Sequence, residues 1–147
     1  MIRVNELFSG IGAQCQGLKD AGIEHEIVAI SDIDKYANIV YEGVHGKVNN
    51  LGDISKIKKL PKADLWTYSF PCTDISIAGR LEGLGKETRS GLLWQVQRLL
   101  DVSKEYDELP KYLLLENVKN LEIAQHFFRK AFTDYRLHYA AGSFRKY

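Results

Sequence analysis

A thiol, a carboxyl group and a glycine-bearing turn are the parts of this sequence whose types and positions suit chemistry. Cys72 follows Phe70-Pro71 at the end of an apolar run and opens into a polar segment, Thr73 to Arg89, that carries Gly79, Gly83 and Gly85. Cys15, inside a helical pattern, reads as a small buried hydrophobe. Cys72 sits instead where a strand gives way to a loop, and even the small thiolate fraction present at neutral pH is strongly nucleophilic. No histidine is placed by the sequence to serve as its base, which argues against a cysteine protease. Glu116-Asn117-Val118 follows a second apolar run. A partly buried carboxyl at a strand end is expected to hold its proton more tightly and to act as a proton donor. Taken alone, Glu116 reads equally well as a helix-capping residue.

Phe8-Ser9-Gly10-Ile11-Gly12 lies between an apolar run and a helical pattern. Its glycines permit a tight turn and close approach of a ligand to the helix N-terminus, although a purely structural turn has the same composition. A dinucleotide fingerprint needs a third glycine, and position 15 is cysteine. Asp32 stands twenty residues after Gly12 at the end of another apolar run. A carboxylate there can accept hydrogen bonds from both hydroxyls of a ribose, and capping of the next helix falls to Asp34.

The elements that must position these groups alternate. Strands are predicted at Val4 to Phe8, Ile27 to Ile30, Leu65 to Phe70 and Tyr112 to Leu115. Helices are predicted at Ala13 to Ala21 with Gly22 as the stop, and from Asp34 through Val44, where Tyr36/Ala37, Val40/Tyr41 and Val44 recur at helical spacing. A third helix, capped by Ser90, carries Leu92, Leu93, Val96, Leu99 and Leu100. A fourth carries Leu121, Ala124, Phe127/Phe128, Ala131 and Tyr135. Strand–helix alternation calls for an α/β, doubly wound, mostly parallel sheet that binds ligands at its carboxyl edge. One site would then collect all four features.

Composition sets the limits. At 147 residues, with 45% hydrophobic and 27% charged residues and a net charge of +1, the chain supports one core and is neither disordered nor collagen-like. Residues 75–147 carry 12 basic against 9 acidic side chains, so a polyanion is expected on the second half. Two cysteines and four histidines in no ligand spacing predict no metal site. The N-terminus lacks a signal peptide's apolar run and no segment is long enough to span a bilayer, so a cytoplasmic, intracellular protein is expected.

Phe8-Ser9-Gly10-Ile11-Gly12, Phe70-Pro71-Cys72 and Glu116-Asn117-Val118, in this order, resemble the DNA cytosine-5 methyltransferases, and Asp32-Ile33, Gly52-Asp53-Ile54 and Arg89-Ser90-Gly91-Leu92 resemble three lesser motifs of that family. The resemblance runs from about residue 4 to residue 121. It implies a Rossmann-like fold that binds S-adenosyl-L-methionine, with Phe8, Gly10, Ile11 and Gly12 lining the cofactor pocket. Asp32 would meet the ribose, Ile33 the adenine face, Asp53 and Ile54 the adenine edge, with Pro71 and Leu92 flanking. Cys72 would be the nucleophile and Glu116 the proton donor toward a cytosine flipped out of double-stranded DNA. Thr73 to Arg89 would close over that base, with Ser76, Arg80, Lys86 or Arg89 on the DNA.

The family is considerably longer. Beyond Leu121 the sequence has no Gln-x-Arg-x-Arg motif, no target-recognition domain and no carboxyl-terminal Asn motif. The expectation is a single catalytic domain over 1–147, incomplete at its C-terminus. It is read as half of a split enzyme completed by a separate polypeptide, as a prophage or restriction-modification remnant, or as an excised piece, with little or no methylation alone. Two rival readings remain: a degenerate S-adenosylmethionine- or DNA-binding remnant, and a nicotinamide-dependent oxidoreductase supported only by the first turn and Asp32.

Overall fold

The computed structural model describes residues 1–69, 92–116 and 135. Strand β1 (Ile2–Leu7) has Val4, Asn5, Glu6 and Leu7 all buried, the mark of a strand covered on both faces. It pairs in parallel with β2 (His25–Ser31) on one side and β3 (Leu65–Tyr68) on the other, and β4 (Tyr112–Leu115) extends the sheet beyond β3. The order β2-β1-β3-β4 makes β1/β3 the point where the sheet changes its direction of growth. Ligands of open α/β sheets bind beside such a switch point.

Helices α1 (Ala13–Asp20) and α2 (Lys35–His45) cover one face of the sheet, and α3 (Leu93–Glu105) covers the other. On the first face Leu18 packs against Val4 and Leu65, while Cys15 and Tyr41 meet Ile30. On the second, Val96, Leu99 and Leu100 interlock with Leu7, Trp66 and Tyr68, joined by Ile54, Ile57 and Leu60 from the connection before β3. Leu113 and Leu115 of β4 join the same cluster, and so does Tyr135, whose hydroxyl donates to the Pro110 carbonyl at 2.7 Å. No helix among the described residues is long and apolar enough to cross a membrane.

The alternating architecture matches the sequence reading, with shifts at the edges. β1 stops at Leu7 because Phe8 takes φ 54°, outside the range of any strand. β3 is described to Tyr68, and Phe70 lies outside the described residues. Gly22, at φ 68°, ends α1 as anticipated: its N–H donates to Lys19 and that of Ile23 to Leu18, a paired closure of the last turn. α3 is described from Leu93, with Leu92 in the cap position and no side-chain cap bond, and Ser90, the expected cap, lies outside the described residues. The helix expected after Leu121 also falls outside them, Tyr135 excepted.

Asp34 caps α2, accepting from the Tyr36 and Ala37 amides at 2.8 and 3.2 Å. Asp34→Ala is expected to lower stability by about 1 kcal/mol, read as a shift in urea midpoint with an unchanged slope. The face that α2 buries is rotated from the periodic one. Ala37, Asn38, Tyr41 and His45 turn inward, and Tyr36, Ile39, Val40 and Val44 stay exposed. Polar partners decide this: Tyr41 donates to Glu6, Asn38 to the Asp32 carbonyl, and Lys19 to His45.

Candidate functional site at the carboxyl edge of the sheet

The strands end flush. Leu7 is paired with Ser31 on one side and Tyr68 on the other, and Tyr68 with Leu115. The next residues, Phe8, Asp32, Ser69 and Glu116, therefore form one row along the carboxyl edge. At strand spacing, the three intervals from Asp32 to Glu116 amount to about 14 Å. Backbone bonds keep the row together: Phe8 N–H donates to the Ser31 carbonyl at 2.8 Å and Glu116 N–H to the Tyr68 carbonyl at 3.1 Å. The Ser69 hydroxyl adds a 3.3 Å bond to the Phe8 carbonyl.

The turn after β1 takes left-handed φ at Phe8 (54°), Gly10 (53°) and Gly12 (88°). At Phe8 this costs conformational energy, the kind of strain that persists where surrounding structure enforces it. The two glycines serve different ends. Among the described residues, a methyl group at Gly10 would meet nothing within 4 Å. A methyl group at Gly12 would collide with the His45 ring and lie 2.9 Å from Tyr41. The Ser9 hydroxyl is buried with no hydrogen-bond partner among the described residues.

Asp32 carries more structure than a bare ligand residue. One carboxylate oxygen accepts from Gly10 N–H at 2.7 Å and the other from Asp34 N–H at 2.8 Å. A carboxylate has about four acceptor sites, so capacity remains on both oxygens. Its main chain is fixed as well, since Asn38 and Asn50 both donate to the Asp32 carbonyl, at 3.2 and 3.1 Å. Neighbouring Ile33 is 78% exposed and Ile11 58% exposed, two apolar side chains held in solvent beside the turn. Asp53 accepts from the amide and hydroxyl of Ser55, and those bonds hold its carboxyl below the usual range.

The remaining expected site residues are placed as follows. The Ile54 side chain is 4% exposed and sits in the core, which leaves its main chain as the part able to meet a ligand. Glu116 follows β4 directly and its side chain is exposed. Leu92 is partly buried against the core around α3. Pro71, Cys72, Ser76, Arg80, Lys86 and Arg89 lie outside the described residues.

Glu6 was not singled out by sequence, because an acidic residue within an apolar strand carries no pattern of its own. It is fully buried beneath the turn, accepting from Cys15 N–H at 3.3 Å and from the Tyr41 hydroxyl at 2.9 Å. Gly12 has no side chain with which to cap α1, and the Glu6 carboxylate supplies that function from the strand. Burial pushes the Glu6 pKa up, opposed by hydrogen bonds from Tyr41 and the Cys15 and Gln14 amides. Burial and the Glu6 charge likewise raise Cys15, whose thiol stays protonated and bonds to His25 Nε2 at 3.6 Å, in keeping with its structural reading.

A pH dependence follows. The Glu6 pKa is higher folded than unfolded, so its contribution is complete below the ordinary glutamate value and is lost as pH rises through the raised one. Glu6→Gln is expected to abolish that loss. Urea midpoints from about pH 4 to about pH 8 should fall more steeply for wild type than for the variant. Parallel curves would contradict it.

Among the described residues no group of three or more His, Cys, Asp or Glu side chains could hold a metal ion. The donor set suits an organic cofactor: an open glycine turn, an unpartnered buried hydroxyl, a carboxylate with spare acceptors and two exposed isoleucines.

Comparisons with known proteins agree with this geometry. The family model of C-5 cytosine-specific DNA methylase matches residues 2–134. The orphan methyltransferase M.Rho11sI of Bacillus phage rho11s is 44% identical over 124 residues, covering 82% of this chain and 24% of that protein. The type II methyltransferase M2.ScrFI of Lactococcus lactis subsp. cremoris is 34% identical, covering 86% of this chain and 49% of that one. Among solved structures, the S. pombe Dnmt2 methyltransferase superposes with a TM-score of 0.69 at 31% identity, over 90% of this chain and 40% of that one. The chain thus spans between a quarter and a half of the curated relatives named here. With a family model matched along most of its length and the strand ends aligned as that fold requires, this chain belongs to the C-5 cytosine-specific DNA methylase family.

Proposed function

We propose that this chain is the catalytic portion of a DNA cytosine-5 methyltransferase that uses S-adenosylmethionine. The observation that supports this most is the single row formed by the glycine turn, Asp32 and Glu116 at the carboxyl edge, with Cys72 four residues beyond Tyr68 in the sequence. Phe8, Gly10, Ile11 and Gly12 hold the cofactor at the turn. Asp32 takes the ribose hydroxyls on its spare acceptors, Ile33 packs on adenine, and Asp53 with the Ile54 main chain borders the adenine edge. Pro71 and Leu92 flank the pocket.

When bound, S-adenosylmethionine supplies the electrophilic methyl group that carbon 5 of cytosine receives. Carbon 5 is a poor nucleophile, and this chain's residues change that. The Cys72 thiolate forms a bond to carbon 6 while Glu116 gives its proton to ring nitrogen 3, so the electron pair collects at carbon 5. After methylation the carbon 5 proton passes to water, ring nitrogen 3 returns its proton to Glu116, the carbon 5–carbon 6 double bond re-forms, and the bond from Cys72 to carbon 6 breaks with release of the thiolate. Glu116 must be protonated for its step. Because it is exposed in the free chain, the inserted base and the closing segment have to desolvate it. The target must leave the duplex stack to be gripped in this way, with Ser76, Arg80, Lys86 and Arg89 on the DNA.

Stand-alone activity is a separate matter. The chain spans about a quarter to a half of the length of these relatives, and a separate polypeptide carrying a recognition domain and a Gln-x-Arg-x-Arg motif is proposed to complete the site. The purified chain is expected to bind S-adenosylmethionine in calorimetry and to leave duplex DNA unmethylated. Adding a polypeptide with those parts should produce a covalent adduct on 5-fluorocytosine DNA. Cofactor binding without any adduct in the completed mixture would favour a remnant that binds but does not catalyse. Tight nicotinamide binding would overturn the reading.

A further inference from the structure

The turn that faces the cleft in front is held from behind by α2. The Lys19 ammonium of α1 donates to His45 Nδ1 at 3.0 Å, which makes Nδ1 an acceptor and leaves the ring proton on Nε2. The Cδ2–Nε2 edge of the ring is the part that lies against Gly12. Tyr41 flanks the same ring, with centroids 4.9 Å apart at 55°, and its hydroxyl is anchored to Glu6 at 2.9 Å. The peptide groups around the two left-handed glycines are therefore pinned between Asp32 in front and His45 behind.

We propose that His45, held by Lys19 and Tyr41, is a positioning residue for the cofactor site: with its ring edge packed against Gly12 it keeps the glycine turn in its ligand-ready conformation. The proposal rests on the reading of that turn as the S-adenosylmethionine pocket. A ring of similar size without polar atoms would enter the same space but lose the bond to Lys19 that fixes the ring's orientation against Gly12. The turn would then sample other conformations, and the cofactor would have to bear the ordering free energy on binding.

The same geometry gives His45 a pH signature. Protonation places a second positive charge on the nitrogen that faces Lys19 and removes the acceptor. Burial first, and then Lys19, lower the His45 pKa, so the neutral ring prevails at neutral pH. Ligand-ready turns are expected to be lost as pH falls through that lowered value. The charged and titratable groups around the ring are Lys19 and Cys15 of α1, His25 of β2, Tyr41 of α2, Glu6 of β1 and Lys47 beyond α2. A His25→Gln background separates the other histidine in this cavity from the effect.

The experiment uses the 147-residue chain, with His45→Phe, His45→Gln and Lys19→Met. Calorimetry with S-adenosylmethionine is expected to show at least about a tenfold weaker Kd for His45→Phe, about 1.4 kcal/mol, with thermal midpoint little changed. His45→Gln should recover part of the loss, and Lys19→Met, at an exposed position, should give a smaller one. Amide NMR of the free chain supplies a readout that needs no cofactor. The Gly10 and Gly12 signals should follow a titration below the usual histidine range in wild type and lose that response in His45→Phe. If His45→Phe does not fold, Lys19→Met decides on both readouts. Glycine signals indifferent to pH and to these variants would overturn the positioning role. A wild-type chain that binds no cofactor while its glycine amides still report His45 would overturn the pocket assignment and leave the positioning of the turn intact.

Discussion

Gly12→Ala is expected to abolish measurable cofactor binding and to destabilise the chain by about 2–5 kcal/mol, the left-handed backbone and the overpacking each contributing. The backbone at Gly12 has φ 88°, and the added methyl group would be directed into the His45 ring and toward Tyr41. Neither ring can retreat freely. Tyr41 is fixed through its hydroxyl to buried Glu6, and His45 through Lys19. Relief would have to come from the turn itself, which displaces the peptide groups proposed to hold the cofactor. Gly10→Ala is the control, because Gly10 shares the left-handed backbone but faces open space. Its cost should stay near about 1–2 kcal/mol from conformation alone. Urea denaturation and calorimetry on both variants check this. Equal losses would show that the rings behind Gly12 impose no constraint.

Cys72→Ser is expected to remove the covalent adduct on 5-fluorocytosine DNA altogether and to lower methylation by the completed enzyme about 10⁴-fold or more, while leaving S-adenosylmethionine affinity unchanged. A serine hydroxyl is almost never ionised near neutral pH, whereas a thiol has a populated and intrinsically strong nucleophile. The unchanged cofactor affinity is the discriminating half. It requires that Cys72 act on the base rather than on the pocket at the glycine turn and Asp32. Intact adduct formation by Cys72→Ser would place the nucleophile elsewhere. A parallel loss of cofactor binding would make Cys72 part of the pocket or of the fold.

Much of this molecule was legible because its signals are local. An apolar run between turn residues reads as a buried strand, and four such runs alternating with helical spacing admit few arrangements other than a parallel sheet. Gly22 and Asp34 could be assigned to a helix stop and a cap because those roles depend on the residue and its immediate neighbours. The spacing of Asp32 after the first turn likewise pointed to a strand end. The register puts Phe8, Asp32 and Glu116 in one row, a consequence of parallel strands that end together.

What escaped the sequence reading involves partners distant along the chain. The apolar pattern of α2 groups Tyr36/Ala37, Val40/Tyr41 and Val44; Ala37 and Tyr41 do turn inward, but Tyr36, Val40 and Val44 stay exposed because the helix is rotated so that Tyr41 reaches Glu6, 35 residues earlier. Ile54 reads as part of a ligand-binding motif, but the connection to β3 folds its side chain into the core beneath α3. Asn38 and Asn50 look like ordinary polar surface residues, and both close on the Asp32 carbonyl. Strand periodicity says which residues are buried but not which buried polar groups will meet, because a hydrogen bond across elements depends on the angle and height at which they pack. The sequence by itself therefore determined the order of elements, the family and the sheet edge that gathers the proposed site. Only the tertiary structure decided that Gly12 is braced by an imidazole, that α1 is capped by a carboxylate from β1, and that the Glu116 side chain is exposed.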